Sequence, residues 1–195
     1  PVMSLDEAKD TFEPLTKFME VQPGMQVADV GAGSGVFTVI MGTQLDDCII
    51  YIQDIDASVL QKRNVDKVIR YYSEQTGQDV TNDFRVIYGS PTKTNLPDAS
   101  LDVVYMNAVV HVLDYPDEIL YDLQKKLTPT GKIFIRDGFK NHEGEGEFCS
   151  SSKCGKPLLS ISELHEIMER NGYSLYKESS NMDGYPVFGF RLKVK

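Results

Sequence analysis

Hydrophobic positions along the chain fall into two alternating rhythms. Short unbroken apolar runs recur at 24–30 ("GMQVADV"), 48–55 ("CIIYIQDI"), 83–89 ("DFRVIYG"), 101–107 ("LDVVYMN") and 131–137 ("GKIFIRD"). Each has the length and β-branched content of a buried strand. Between them lie stretches with apolar residues at helical spacing, over 34–45, roughly 57–75 and 117–127. A leading amphipathic helix is predicted over 5–19, opened by Ser4 as N-cap, with an interruption expected at Pro14. A further helix is predicted over 160–172, and His165, inside its polar sequence, is expected on the surface. "YSLYKES" and "YPVFGFRLKV" then read as two strands joined by the turn-rich "NMDG". Alternation of this kind predicts an α/β, doubly wound, mostly parallel seven-stranded sheet, to which a C-terminal hairpin adds one antiparallel strand near the edge. Nothing in the pattern suggests a linker or a repeat, so residues 1–195 are expected to form one domain.

Composition narrows the partners. The formal net charge of -9 counts against a nucleic-acid backbone, which is met by a basic footprint. No apolar run approaches the length of a membrane span, and no charged-then-apolar leader opens the sequence. Three cysteines, Cys48, Cys149 and Cys154, are too few for a disulfide scaffold, so a cytoplasmic protein is expected.

Candidate chemistry begins where the first strand breaks into "VADVGAGSG". In open α/β sheets a ligand lies beyond the carboxyl ends of the strands, and glycines there let backbone turn and approach it. A dinucleotide fingerprint counted from Gly31 needs a small third residue at 36, where this chain has Val36, and no phosphate-loop Lys-Ser/Thr pair follows. Asp29, just before the turn, would repel a pyrophosphate but suits a cationic ligand. S-adenosylmethionine, with its ammonium and sulfonium, matches in sign and spacing. Asp54, closing the second strand, stands 19 residues past Gly35, where an acid can accept from ribose hydroxyls.

Four stretches in this order, "VADVGAGSG", "YIQDID", "LPDASLDVVYMNAVVHVLDYPDEIL" and "LQKKLTPTGKIFIRD", resemble the class I S-adenosylmethionine-dependent methyltransferases, in particular the small-molecule, quinone-biosynthesis-like group. The likeness runs from about residue 24 to 137; Thr130 departs from it, standing where a glycine is usual. It implies a Rossmann-like fold and transfer of a methyl group to a small-molecule acceptor. A cofactor-binding protein without turnover and a protein methyltransferase are the alternatives. By resemblance, Asp29, Gly31, Ala32, Gly33, Ser34 and Gly35 would hold the methionine part, and Asp54 the ribose, with Ile55 against the adenine. Ser90, followed by Pro91, stands where an Asp commonly receives the adenine amino group. Asn107, Ala108 and Val109 would face the methionine moiety and its methyl.

Methyl transfer from a sulfonium depends chiefly on in-line proximity, and needs a base only where the acceptor atom must lose a proton. His111 is the candidate base, with ordering of its loop as the competing role, and Asp137 is a second candidate. Asp102, at the far end of the fourth strand, reads as structural. The loop 138–159 carries "EGEGE", His142, Cys149 and Cys154, without zinc-module spacing, and is expected to border the acceptor cavity as a lid. No metal is expected.

Overall fold

The computed structural model describes residues 3–77, 80–140, 155–182 and 184–193. Its elements run α1 (Leu5–Phe18), β1 (Gln26–Val30), α2 (Val36–Gly42), β2 (Ile49–Asp54), α3 (Lys62–Thr76), β3 (Asp83–Tyr88), β4 (Leu101–Asn107), a single 3-10 turn (Val110–Val112), α4 (Pro116–Lys126), β5 (Leu127–Arg136), α5 (Ile161–Arg170), β6 (Tyr173–Met182) and β7 (Tyr185–Leu192). The seven strands form one sheet in the order β3-β2-β1-β4-β5-β7-β6. Only β7 runs against its neighbours, inserted between β5 and the edge strand β6. The order reverses between β1 and β4, which opens a crevice at their carboxyl ends.

Strands buried on both faces explain the unbroken apolar runs. One face (Val27, Val103, Tyr105, Phe134) packs under α1, α2 and α3, through Phe12, Leu15, Val39 and Val65. The other (Ala28, Val104, Met106, Ile133) packs on α4 and α5, through Leu120, Leu123, Leu164 and Met168. Gln26 N–H donates to Asp102 Oδ2 at 2.9 Å, tying the starts of β1 and β4 together, a structural task as its position implies.

Three sequence expectations need correction. Helix α1 continues through Pro14. An interior proline costs about 3 kcal/mol, but Ala8, Phe12 and Leu15 are buried along one face, and two large apolar side chains at roughly 1.5–3 kcal/mol each offset it. A reciprocal cap helps at the start: Ser4 Oγ accepts from Glu7 N–H while the Glu7 carboxylate accepts from Ser4 N–H. Helix α3 begins at Lys62, not near 57, because the Asp56 carboxylate accepts from both the N–H and the hydroxyl of Ser58 and holds the intervening residues in a turn. His165 is half-buried rather than exposed. Its ring meets Phe188 and Phe190 edge-on at centroid distances of 5.5 and 5.8 Å, and its Nε2 is buried without a hydrogen-bond partner among the described residues.

Candidate active site

The glycine turn leaves β1 at the sheet's carboxyl edge, and two cavities flank it. The first, about 410 Å³, lies on the α1/α2 face. Its floor is built by strand register: Asp29 of β1 neighbours Tyr105 of β4, and Asn107 neighbours Arg136 of β5. Gly31, Ala32 and Gly33 complete that floor. The second, about 220 Å³, lies on the α4 face between Asp54, Ile55, Ser90, Pro91 and the segment Ala108–Val109. Gly31 borders both. Its φ is +76°, and a Cβ there would sit 2.4 Å from Val109 Cγ2, so this position requires glycine twice over.

Electrostatics differ along the floor. Asp29 is 5% exposed, and its Oδ2 accepts from the Thr38 hydroxyl at 2.5 Å. Burial pushes its carboxyl up to about 6 and the nearby Asp54 charge adds to this, while the Thr38 hydrogen bond opposes them. Tyr105 is pushed well above the usual phenol range by burial first and the Asp29 charge second. Arg136 donates to Asn107 Oδ1 at 3.3 Å, and its guanidinium lies over the Tyr185 ring at 4.7 Å.

Asp54 is already engaged in shaping the turn. Its Oδ2 accepts from Gly33 N–H at 2.7 Å and its Oδ1 from Asp56 N–H at 2.9 Å. The Gly31 and Ala32 N–H groups both donate to the Gln53 carbonyl, at 2.8 and 2.9 Å. The acid that ends β2 thus fixes the glycine loop that follows β1. Ser90 Oγ accepts from Lys93 N–H at 3.1 Å, within a tight turn.

The predicted residues divide into three groups. Asp29, Gly31, Ala32, Gly33 and Asn107 line the first cavity, and Gly31, Asp54, Ile55, Ser90 and Pro91 line the second. Ser34, Gly35 and His111 line neither. Ser34 is exposed, and Gly35 faces inward, where a Cβ would meet Ile52 at 2.9 Å and Val65 at 3.2 Å; it brings α2 close to β2 and α3. His111 is 7% exposed, with Nδ1 at 2.7 and 2.9 Å from the two Asp137 carboxylate oxygens. Asp137 also accepts from Gly138 N–H at 2.8 Å. Residues 141–154 of the expected lid, with His142, Cys149 and Cys154, lie outside the described residues. Beyond them, Lys156 Nζ donates to the Val112 carbonyl at 2.9 Å and to Asp114 at 2.5 Å, fastening the returning chain onto the wall of the second cavity. Among the described residues no group of three His, Cys, Asp or Glu side chains could hold a metal ion.

Sequence reading missed Thr38, Tyr105 and Arg136, and the aromatic pair Phe37 and Tyr185 that borders the first cavity. Tyr105 and Arg136 carried a signal. They share a face with Asn107 two residues on and across one register step, and polar residues inside otherwise apolar strands need a partner or a ligand.

A family model described as a methyltransferase domain matches residues 28–135, from β1 through β5. The chain belongs to that family. It is a class I methyltransferase, with S-adenosylmethionine as cofactor. Among solved structures, a SAM-dependent methyltransferase from Aquifex aeolicus superposes with a TM-score of 0.67 at 21% identity, covering 96% of this chain and 97% of that one. The 1,6-didemethyltoxoflavin-N1-methyltransferase of Burkholderia thailandensis, solved with bound 1,6-didemethyltoxoflavin and S-adenosylhomocysteine, gives 0.68 at 16% identity over 96% and 78%. The [4+2]-cyclase SpnF gives 0.71 at 13% identity over 97% and 83%. Likeness at these identities is one of fold, and the SpnF match shows that the fold also carries other reactions. No curated protein matches the sequence.

The cavities fit the cofactor. Gly31 borders both and Gly33 leaves open space where a Cβ would stand, an acid stands at the end of β1 in the first, and an acid with an exposed apolar neighbour, Ile55, stands at the end of β2 in the second.

Proposed function

We propose that this methyltransferase acts on a small-molecule acceptor held in the first cavity. The observation that carries this is the pair of cavities that both border Gly31, on opposite faces of one sheet edge, which suits an elongated cofactor with an acceptor at one end. Asp54, Ile55, Ser90 and Pro91 would hold the adenosine end; Asp29, Gly33 and Asn107 would hold the methionine end. When bound, S-adenosylmethionine supplies an electrophilic methyl on a sulfonium leaving group. The chain supplies orientation and a dry, shaped cavity. Small-molecule acceptors are supported by the cavity's size and by the Burkholderia enzyme, which was solved with one bound. The net charge of -9 argues against nucleic acid, and the buried free thiol of Cys48 agrees with a cytoplasmic setting.

His111 is assigned a positioning role. Its tie to Asp137 staples the 3-10 turn after β4 to the end of β5, and so presses Val109 onto Gly31. His111→Gln should then raise the KM for the cofactor more than it lowers kcat, with the shape of the pH–rate profile unchanged. Loss of a pH limb at constant KM would make it the base instead. The function itself is tested by following S-adenosylhomocysteine release against a panel of phenols, amines, carboxylates and short peptides. Turnover with peptides alone would sink the small-molecule assignment.

A further inference from the structure

Above its polar floor, the first cavity changes character. Phe12 of α1 and Phe37 of α2 meet at a ring-centroid distance of 6.3 Å, tilted by 56°, and Tyr185 of β7 faces the same space. Met3 and Met182 fill in beside them. Phe37 is 59% exposed and Tyr185 49% exposed, although both are large rings at the mouth of a cavity. Exposed aromatics grouped around one opening are costly to hydrate, which singles out a surface that binds. Arg136 covers Tyr185 at 4.7 Å and ties it to Asn107 on the floor, so this ring is held in place.

We propose that the acceptor is a flat, ring-bearing, largely uncharged molecule, gripped between Phe37 and Tyr185 over the methionine end of the cofactor. The assignment rests on the small-molecule reading above and deepens it. Rings stack on rings in offset or edge-on geometry with a gain beyond burial alone, whereas a flexible chain forfeits rotamer freedom on entering the same slot. Methionines next to the rings let the slot adapt to substituents and add sulfur–aromatic contacts. Size sets a limit as well. A cavity of about 410 Å³ is at the small end of ligand sites, and the methionine part of the cofactor takes a share of it, leaving space for one or two fused rings. A peptide side chain delivered on a backbone, or a long acyl chain, does not suit such a slot.

The test uses the whole protein saturated with S-adenosylhomocysteine, titrated calorimetrically with 2-naphthol, indole and catechol, and with 1-octanol and 1-octylamine as chain-like probes. At least one ring probe should bind five-fold or more tighter than both chain probes. Phe37→Leu and Tyr185→Leu keep apolar bulk and remove the ring; each should weaken that probe at least five-fold, with a smaller change in S-adenosylhomocysteine affinity. Tyr185→Phe should restore wild-type affinity for the probe. Equal binding of chains and rings, no binding of any ring probe, or indifference to both leucine variants would overturn the ring assignment while leaving methyl transfer intact. Failure of the wild-type protein to bind S-adenosylhomocysteine would instead strike the underlying reading.

Discussion

Replacing Asp29 by asparagine should make the ligand-free protein more stable at neutral pH and a poorer binder of its cofactor. Asp29 is buried, and burial raises its carboxyl from 3.8 to about 6. Between those values the unfolded chain releases this proton while the folded protein keeps it. The stability contributed by the protonated acid is therefore complete below pH 3.8, falls as pH rises, and is gone above about 6. At 1.36 kcal/mol per unit, a rise of about two units corresponds to roughly 3 kcal/mol. An asparagine side chain has no proton to lose and keeps a polar group for Thr38, so the Asp29→Asn variant escapes that loss.

Thermal unfolding followed by circular dichroism from pH 4 to 8 checks the sign and the size. The two proteins should melt together near pH 4 and diverge by roughly 6–12 °C above pH 6.5, given 2–4 °C per kcal/mol for a chain of this length. Other titrating groups are common to both proteins and cancel in the difference. Calorimetry with S-adenosylhomocysteine should run the other way, with affinity at pH 7.5 falling by about 1.5–3 kcal/mol in the variant, the usual range for a lost charged hydrogen bond. Wild-type affinity should climb between pH 5 and 6.5, where the carboxylate forms, and the variant's should not. A melting difference that stays constant from pH 4 to 8 would refute the argument from burial.

Three further outcomes are expected. Asp54→Ala frees the Gly33 and Asp56 N–H groups and should weaken S-adenosylhomocysteine binding by about 1.5–3 kcal/mol in calorimetry, while tight NADH binding in the wild type would contradict the cofactor assignment. Gly35→Ala places a methyl at φ +76° and 2.9 Å from Ile52, so urea unfolding should show a loss of about 1–3 kcal/mol, although the residue lines neither cavity. Glu20 sits between Lys132 and Lys177, whose hydrogen bonds hold its carboxyl at about 2; this stability is present above 4.5 and lost as pH falls through 2. Its side chain is 40% exposed, so after solvent screening Glu20→Gln should cost only about 1 kcal/mol at pH 7 and nothing at pH 2, read from melting curves.

Strand and helix identity was legible because both faces of the sheet are buried, so β1, β2, β4 and β5 stand out as unbroken apolar runs. What misled at the ends was local. Asp56 and Ser58 fold into a turn where the apolar spacing continued, and Pro14 sits in a helix whose buried face outweighs it. Neither effect shows in periodicity, since one is a side-chain hydrogen bond and the other a tertiary contact.

The glycine loop shows the same division within the site. Three glycines at alternate positions looked equivalent in "GAGSG", and all three have positive φ, yet they do different work. Gly31 yields to Val109 and borders both cavities; Gly33 offers its N–H to Asp54; Gly35 yields to Ile52, Val65 and Leu60 and belongs to the core. Spacing marked where the chain must bend, but what fills the space beside each bend comes from β2, α3 and the segment after β4, 17 or more residues away along the sequence. The same reasoning applies to His111. Its sequence setting, just past a strand at the ligand edge, suits a base, and the Asp137 carboxylate that holds its ring, 26 residues on, is what supports the positioning role proposed above. A residue's partner, rather than its type, decides which of these roles it performs, and those partners lie on neighbouring strands that a linear motif does not contain.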